Sequence, residues 1–353
     1  MASSSSHLTK HLGTALRFAL MGACLLYAFW GLEWDKFWQA VQQFGWLGLL
    51  VTGVLSVAQY LPVALRISYL THWQASLLVS LKASVFCLGV NNILPAKLGE
   101  VAKAYYLRKK TGITLGKGLG MIFWERFFDL NILLLMGLMA AFLLGKNIVV
   151  APLGLVVGGI WATVIVFRWK PGLASLVAKM LPGEKVKHLF HDVMHQLQCR
   201  VSPRFFAALT GYSLVVWAGF AVVYFSAIWL MGELQLTFAQ TLTVFVVASI
   251  GFAAPSSPGG VGVFEGAFVF AMSLFKVERE TALAIALVLR FMFFVPTVLA
   301  ALYVMAQSGM SLKGIREVQV EPESIEKECV LDESDTPADP VAPAATGFQG
   351  DAR

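Results

Sequence analysis

Six ionisable side chains stand within or directly beside apolar sequence: Glu100, Glu125, Arg126, Asp129, Glu265 and Arg290. In WERFFD, Glu125 and Asp129 are spaced i and i+4, which puts both carboxylates on one helix face with Arg126 beside them. A charge at the centre of a spanning helix costs about 2.5–3.5 kcal/mol on insertion scales unless it is paired or hydrated. Such residues therefore mark either a polar cavity or a set of buried ion pairs. In the first case Arg126 and Arg290 meet an anionic headgroup while the acids orient them; in the second the pairs only fix helix packing. Desolvation offsets much of the Coulombic gain of a buried pair, which favours the cavity for the set as a whole.

Two Pro-Gly segments lie beside these charges. In APSSPGGVGVFEGAF, the glycines Gly259, Gly260 and Gly262 precede a helix start whose free N–H groups and dipole suit a phosphate. The competing reading is close helix packing, with Gly262 and Gly266 as a GxxxG pair. The spacing is not that of a dinucleotide fingerprint, and no βαβ unit surrounds it. NNILPAKLGEVAKAYYLRKK is the matching element upstream: Asn92 and Glu100 sit by its break, and Lys97, Lys103 and Arg108 to Lys110 form a basic collar at a cytoplasmic mouth. PAKLG and PGGVG share Pro-x-x-x-Gly, each is followed by a glutamate (Glu100, Glu265), and an arginine follows 26 or 25 residues later (Arg126, Arg290), which points to an internal repeat.

These segments belong to a chain that is 58% hydrophobic and 14% charged, a balance that excludes a soluble fold. Six apolar runs read as spans: Leu12 to Gly31, Gly45 to about Val63, Leu119 to Gly145, Ile148 to Phe167, Phe205 to Met231 and Thr281 to Met305. Basic residues concentrate in alternate loops, which places both termini in the cytoplasm of a bacterial inner membrane and explains the basic charge without nucleic acid. Two further apolar segments, Ala75 to Pro95 and Leu236 to Phe275, are flanked by loops on one side each and contain Pro and Gly. They read as re-entrant hairpins dipping from opposite faces, as an inverted-topology repeat requires. The expected fold is thus an all-α polytopic membrane protein over residues 1–306, with a cytoplasmic interfacial helix at 173–200 broken near Pro182 and Gly183. An acidic, disordered cytoplasmic tail at 307–353 completes it.

The remaining chemistry is sparse. Cys24, Cys87, Cys199 and Cys329 have neither pairing nor metal-like spacing. His188, His191 and His195 in HLFHDVMH resemble a zinc-protease pattern with Asp in place of Glu, but no third-ligand motif follows, so no metal is expected. No Gly-x-Ser-x-Gly elbow, Walker loop or Cys-x-x-Cys is present; the expectation is a non-enzyme without cofactor.

Three blocks in order, NNILPAKLGEVAKAYYL, WERFFDL and PSSPGGVGVFEGAF followed by Arg290, resemble the lysylphosphatidylglycerol synthase transmembrane family, the flippase-like domain of multiple peptide resistance factors. The resemblance covers about residues 10 to 306 and implies re-entrant elements and a lipid-translocating or scrambling role. It maps onto Asn92, Pro95, Gly99, Glu100, Glu125, Arg126, Asp129, Pro258, Gly259, Gly260, Gly262, Glu265 and Arg290. Lys97 and Lys103 depart from it, standing where arginine is expected, and lysine lacks the bidentate fork that suits phosphate. The 47 residues from Gln307 onward are too few to form a soluble lysyl-transferase domain, so lysylphosphatidylglycerol synthesis is not expected. The leading expectation is movement of an anionic phospholipid or polyprenyl-phosphate carrier between leaflets, with a hopanoid-type lipid as a subsidiary substrate. The rivals are a membrane-embedded transferase and a scaffold that binds lipid-synthesis proteins. Lipid identity, direction, coupling and oligomeric state stay open.

Overall fold

The computed structural model describes residue 19, residues 21–94, 98–170, 202–253 and 258–310, and short stretches between 172 and 197. Among the described residues every regular element is helical. In chain order they are α1 (residues 21–29), α2 (Trp34–Gln42), α3 (Trp46–Ala58), α4 (Tyr60–Leu70), α5 (Leu77–Ile93), α6 (Gly99–Thr111), α7 (Leu115–Leu143) and α8 (Asn147–Trp169). Then follow α9 (Pro203–Ser226), running into a π turn at Ala227–Met231, α10 (Phe238–Ala253), α11 (Val263–Ser273) and α12 (Arg279–Ser308).

Five stretches are long and apolar enough to cross a membrane: Trp46–Leu70, Leu115–Leu143, Ile148–Phe167, Pro203–Met231 and Arg279–Ser308. The chain is an all-α polytopic membrane protein. The sixth expected span, Leu12 to Gly31, falls largely outside the described residues, although its part at 21–29 is helical. Most of the expected interfacial helix at 173–200, with Pro182, Gly183, His188 and His191, also lies outside them, as do Pro95, Lys97 and residues 311–353.

Local chemistry sets the boundaries. Ser76, Thr114 and Ser202 cap α5, α7 and α9 by accepting the N–H groups of Val79, Lys117 and Phe205, and Pro203 occupies the first turn of α9 where its missing donor costs nothing. Gly112 and Gly309 end α6 and α12 in the left-handed conformation. The first span breaks at Gln59 because Pro62 has no N–H for the carbonyl four residues earlier. Pro296 interrupts α12 in the same way, leaving the Met292 carbonyl with Ser56 Oγ 3.4 Å away.

Between the spans the chain makes two helix–break–helix hairpins, α5 with α6 and α10 with α11. The first is longer than the sequence reading allowed. Ala75 to Pro95 supplies only its first arm, and the return arm is Gly99–Thr111, the segment read as a basic collar. Its polarity hid it: this arm carries Glu100, Lys103 and Arg108 to Lys110, so apolar run length cannot detect it. The arms meet closely at glycine. A Cβ on Gly99 would lie 2.0 Å from the Cys87 carbonyl oxygen, and one on Gly251 2.5 Å from Ala267 Cβ.

Packing of the hairpins is reciprocal. The second arm of each lies on the span that follows it, α6 on α7 and α11 on α12, whereas the first arm lies on the span of the other half, α5 on α12 and α10 on α7. At Gly89 the approach is so close that a Cβ would stand 2.3 Å from the Thr297 carbonyl oxygen. The two breaks come together in the middle: Asn92 Nδ2 donates to Thr297 Oγ1 at 3.0 Å, and Gly259 lies against Asn92. Buried apolar side chains form two cores. One gathers Phe245, Phe268 and Ile285 around α9 to α12, and the other Phe86, Trp124 and Phe128 around α4 to α7. By contrast, α8 has no buried residue in its apolar window.

These contacts separate two kinds of glycine. Gly99→Ala is expected to cost about 1–3 kcal/mol through overpacking. Gly154→Ala on α8, where nothing approaches within 4 Å, is expected to be neutral or to gain up to about 1 kcal/mol from helix propensity. Thermal denaturation of the detergent-purified variants reads the difference, and an equal loss at both positions would contradict this packing.

Candidate functional site

Three elements converge on one ionic network. α4 brings Arg66, α6 brings Glu100 and Lys103, and α7 brings Glu125, Arg126 and Asp129. The i, i+4 spacing read from WERFFD holds: Glu125 and Asp129 face the bundle interior together. Arg66 NH1 donates to Asp129 Oδ1 at 2.6 Å and to Ser213 Oγ at 3.2 Å, and its NH2 stands 3.6 Å from Glu125 Oε1. Trp217 Nε1 donates to the same Asp129 oxygen at 2.9 Å. Lys103 donates to Glu125 and stands 3.5 Å from Glu100 Oε2. Arg126 donates to Glu100 and has a long contact, 3.5 Å, to Asp129. Three cations meet three carboxylates, so the network is formally neutral.

One member differs from the rest. The side chains of Arg66, Lys103 and Glu125 are almost fully buried and those of Glu100 and Asp129 nearly so, but that of Arg126 is 55% exposed. It projects from a face of α7 that otherwise shows Leu119, Ile122, Phe123 and Leu130, all half-buried or exposed. Arg126 lies 11 residues beyond the first residue of a helix that spans Leu115–Leu143, about 17 Å along its axis. A half-exposed arginine side chain thus stands on an apolar face, well inside a helix long enough to cross a membrane.

The second half repeats the pairing with a different outcome. Arg290 lies 11 residues beyond the start of α12 and is bound to Glu265 through Nε, and through NH2 at 2.9 Å. Its NH1 and NH2 also donate to the Gly259 and Gly260 carbonyl oxygens at 2.8 and 3.1 Å, and Phe264 lies under the guanidinium with its ring centroid 5.1 Å away. Every nitrogen of Arg290 is engaged, and the side chain is only 15% exposed. Gly259 and Gly260 thus present carbonyls, not amides, to the charge, and their positive φ angles of 62° and 66° turn the chain so that both carbonyls reach it.

The helix starts are likewise filled from within. Glu265 Oε2 accepts the Gly262 N–H at 2.8 Å, and Asn91 Oδ1 accepts that of Gly99 at 2.8 Å. At the start of α11 the Gly262 N–H is thus taken by the protein's own carboxylate. The alternative role of the glycines is present: a Cβ on Gly262 would lie 2.8 Å from the Met21 carbonyl oxygen and one on Gly266 3.1 Å from Cys24 Cβ, so this GxxxG face seats α1.

The structure thus brings Glu100, Glu125, Arg126 and Asp129 together, places Gly259, Gly260, Gly262, Glu265 and Arg290 in a second cluster, and sets Asn92 between the two breaks. Sequence reasoning missed Arg66, Ser213 and Trp217. Arg66 had a visible signal, a lone cation in LPVALRISYL, but it stands three residues past the expected end of its span at Val63. Lys103, read as part of the cytoplasmic collar, is instead buried against Glu125. Cys24 and Cys87 are unpaired thiols. Among the described residues no group of His, Cys, Asp and Glu could hold a metal ion.

Because Asp129 is held mainly by Arg66, Arg66→Met should leave a buried, poorly compensated carboxylate and cost about 3–5 kcal/mol. Adding Asp129→Leu should restore more than half of that loss. A double-mutant cycle on denaturation midpoints measures the coupling, and additive losses would contradict it.

The comparisons with known proteins agree with the three sequence blocks. The family model described as the lysylphosphatidylglycerol synthase TM region matches residues 14–301. The UPF0104 membrane protein MJ1078 of Methanocaldococcus jannaschii is 26% identical over 209 residues, covering 57% of this chain and 86% of that protein. The family match at residues 14–301 runs through both hairpins and both Glu–Arg pairs, and the chain belongs to the lysylphosphatidylglycerol synthase TM region family.

Proposed function

We propose that this protein moves an anionic phospholipid or lipid-phosphate carrier between the leaflets of a bacterial cytoplasmic membrane, with Arg126 as the cation that meets the headgroup. The observation that carries the reading is the half-exposed side chain of Arg126 on the apolar face of a spanning helix, paired with Glu100 and Asp129 in front of a buried network of Arg66, Lys103 and Glu125. A charge in that position is costly unless water or a polar ligand reaches it. A headgroup bound there keeps its phosphate on Arg126 while its acyl chains stay in the surrounding bilayer. The face on either side, Leu119 to Leu130, suits those chains.

In this reading the two hairpins are re-entrant elements of an inverted repeat, their breaks meeting at Asn92 and Gly259 in the bilayer, and both termini are cytoplasmic. The reciprocal packing of the arms and the equal placement of Arg126 and Arg290 along their helices support it. Arg290 has a different task from Arg126. With all its nitrogens taken, it clamps the turn of the second hairpin. A membrane-embedded transferase would need a carboxylate free to act as general base, and Glu100, Glu125, Asp129 and Glu265 are each engaged by a cation.

Leaflet exchange of fluorescent phospholipids in liposomes containing the purified protein tests the proposal. Arg126→Ala at matched reconstitution should slow exchange about 10- to 100-fold, the equivalent of losing one charge-assisted hydrogen-bonding site of roughly 1.5–3 kcal/mol. Its melting temperature should stay near that of the wild type, whereas Arg290→Ala should lower stability as well as exchange. No exchange of phosphatidylglycerol or of a polyprenyl phosphate by well-folded wild-type protein would overturn the reading.

A further inference from the structure

A headgroup phosphate on Arg126 competes with Glu100 for the same guanidinium charge, and a carboxylate whose cation is shared away in a buried site gains from another. The network holds one in reserve. Glu100 Oε2 is buried and accepts no hydrogen bond, and Lys103 Nζ stands 3.5 Å from it while donating to Glu125. If Lys103 moves toward Glu100, Glu125 in turn needs a donor. Arg66 Nε is buried and donates to nothing, and Arg66 NH2 is 3.6 Å from Glu125 Oε1. Two contacts thus lie at or just past hydrogen-bonding distance, and each ends on a buried polar group with unused capacity, Oε2 of Glu100 and the Arg66 guanidinium. Buried polar atoms in native proteins are nearly always satisfied, so an open acceptor on Glu100 and an underused guanidinium on Arg66 within one network call for an explanation.

We propose that Lys103 is a positioning residue that takes over Glu100 when an anionic headgroup binds Arg126, with Arg66 taking over Glu125 behind it. The inference rests on Arg126 as the headgroup cation and deepens that reading. The handover needs only sub-ångström to ångström movements of Lys103 and Arg66, transfers no proton, and leaves no buried carboxylate without a cation. The second half has no such reserve. Glu265 is engaged by Arg290 alone among the basic side chains described, which matches the saturated geometry of that pair. The departure noted in the sequence, lysine in place of arginine at position 103, fits this role. A single ammonium on a flexible stem can pass between two carboxylates, whereas a planar fork prefers to stay on one.

The test is a double-mutant cycle read by binding of short-chain, water-soluble dihexanoyl-phosphatidylglycerol to the detergent-purified full chain, with melting temperature as the folding control. Lys103→Gln should weaken binding about tenfold or more, because Glu100 then holds Arg126. Glu100→Gln should bind at least as tightly as the wild type, since the competitor is gone. The double variant should match Glu100→Gln, and Lys103→Arg should restore part of the loss by keeping the charge. A purely structural Lys103 would lose and regain melting temperature and binding together, whereas the handover shifts binding in variants whose melting temperatures stay near that of the wild type. Weakened binding in well-folded Glu100→Gln, or a double variant as weak as Lys103→Gln, would overturn the handover. A wild-type protein that binds this lipid through Arg126 but exchanges no leaflets would overturn the translocation reading instead, while the cycle still decides the handover.

Discussion

Hydrocarbon does not solvate charge, and the fold is organised around that constraint. Once Glu125 and Asp129 stand on an inward face of α7, cations must come from elsewhere in the chain, because Arg126, their nearest basic neighbour, projects from a different face. Arg66 comes from the first span and Lys103 from the return arm of the first hairpin. The network therefore determines where α4 and α6 sit against α7. Around it the apolar packing is tight enough to require glycine at the closest approaches. The start of α6 and the Pro296 interruption of α12 are tolerated because side chains reach the irregular backbone there: Asn91 accepts the Gly99 N–H, and Ser56 Oγ stands 3.4 Å from the Met292 carbonyl oxygen.

The two Glu–Arg pairs show how one motif yields different sites. In each half a glutamate in the first turn of a hairpin arm meets an arginine on the following span, at nearly the same sequence separation. The difference lies in what else surrounds the arginine. Arg290 meets two carbonyls supplied by Gly259 and Gly260, whose backbone turns through positive φ, and is held on all sides. Around Arg126 the extra partners are side chains that prefer each other: Arg66 takes Asp129 and Lys103 takes Glu125. That leaves Arg126 with one firm bond and an open face.

Much of this was legible from residue type and spacing. Run length identified the spans from Gly45 onward, and intramembrane charge identified Glu100, Glu125, Arg126, Asp129, Glu265 and Arg290. The 26- and 25-residue separations correspond to ion pairs in three dimensions. The return arm α6 was not legible, because a helix that satisfies its charges against other helices looks in sequence like a polar loop. Arg66 was missed for a related reason: a hydropathy boundary drawn at Val63 assigned it to the loop side. The role of Gly262 and Gly266 depended on what lies above them. The spacing allowed an anion seat or a helix seat, and only the position of α1 distinguishes them.

Reciprocal packing of the hairpins also governs how the molecule is made. The first arm α5 finds its partner in α12, more than 180 residues later in the chain, so the first half leaves the ribosome with that surface bare. Neither half is a separable folding unit, and the contacts that close the bundle are of high sequence separation and form last. An incomplete chain would present Gly89 and the open end of the first hairpin to lipid or to other membrane proteins. Completion of α12 is therefore the step at which this protein becomes a closed body, and membrane quality control has a defined surface by which to recognise chains that have not reached it.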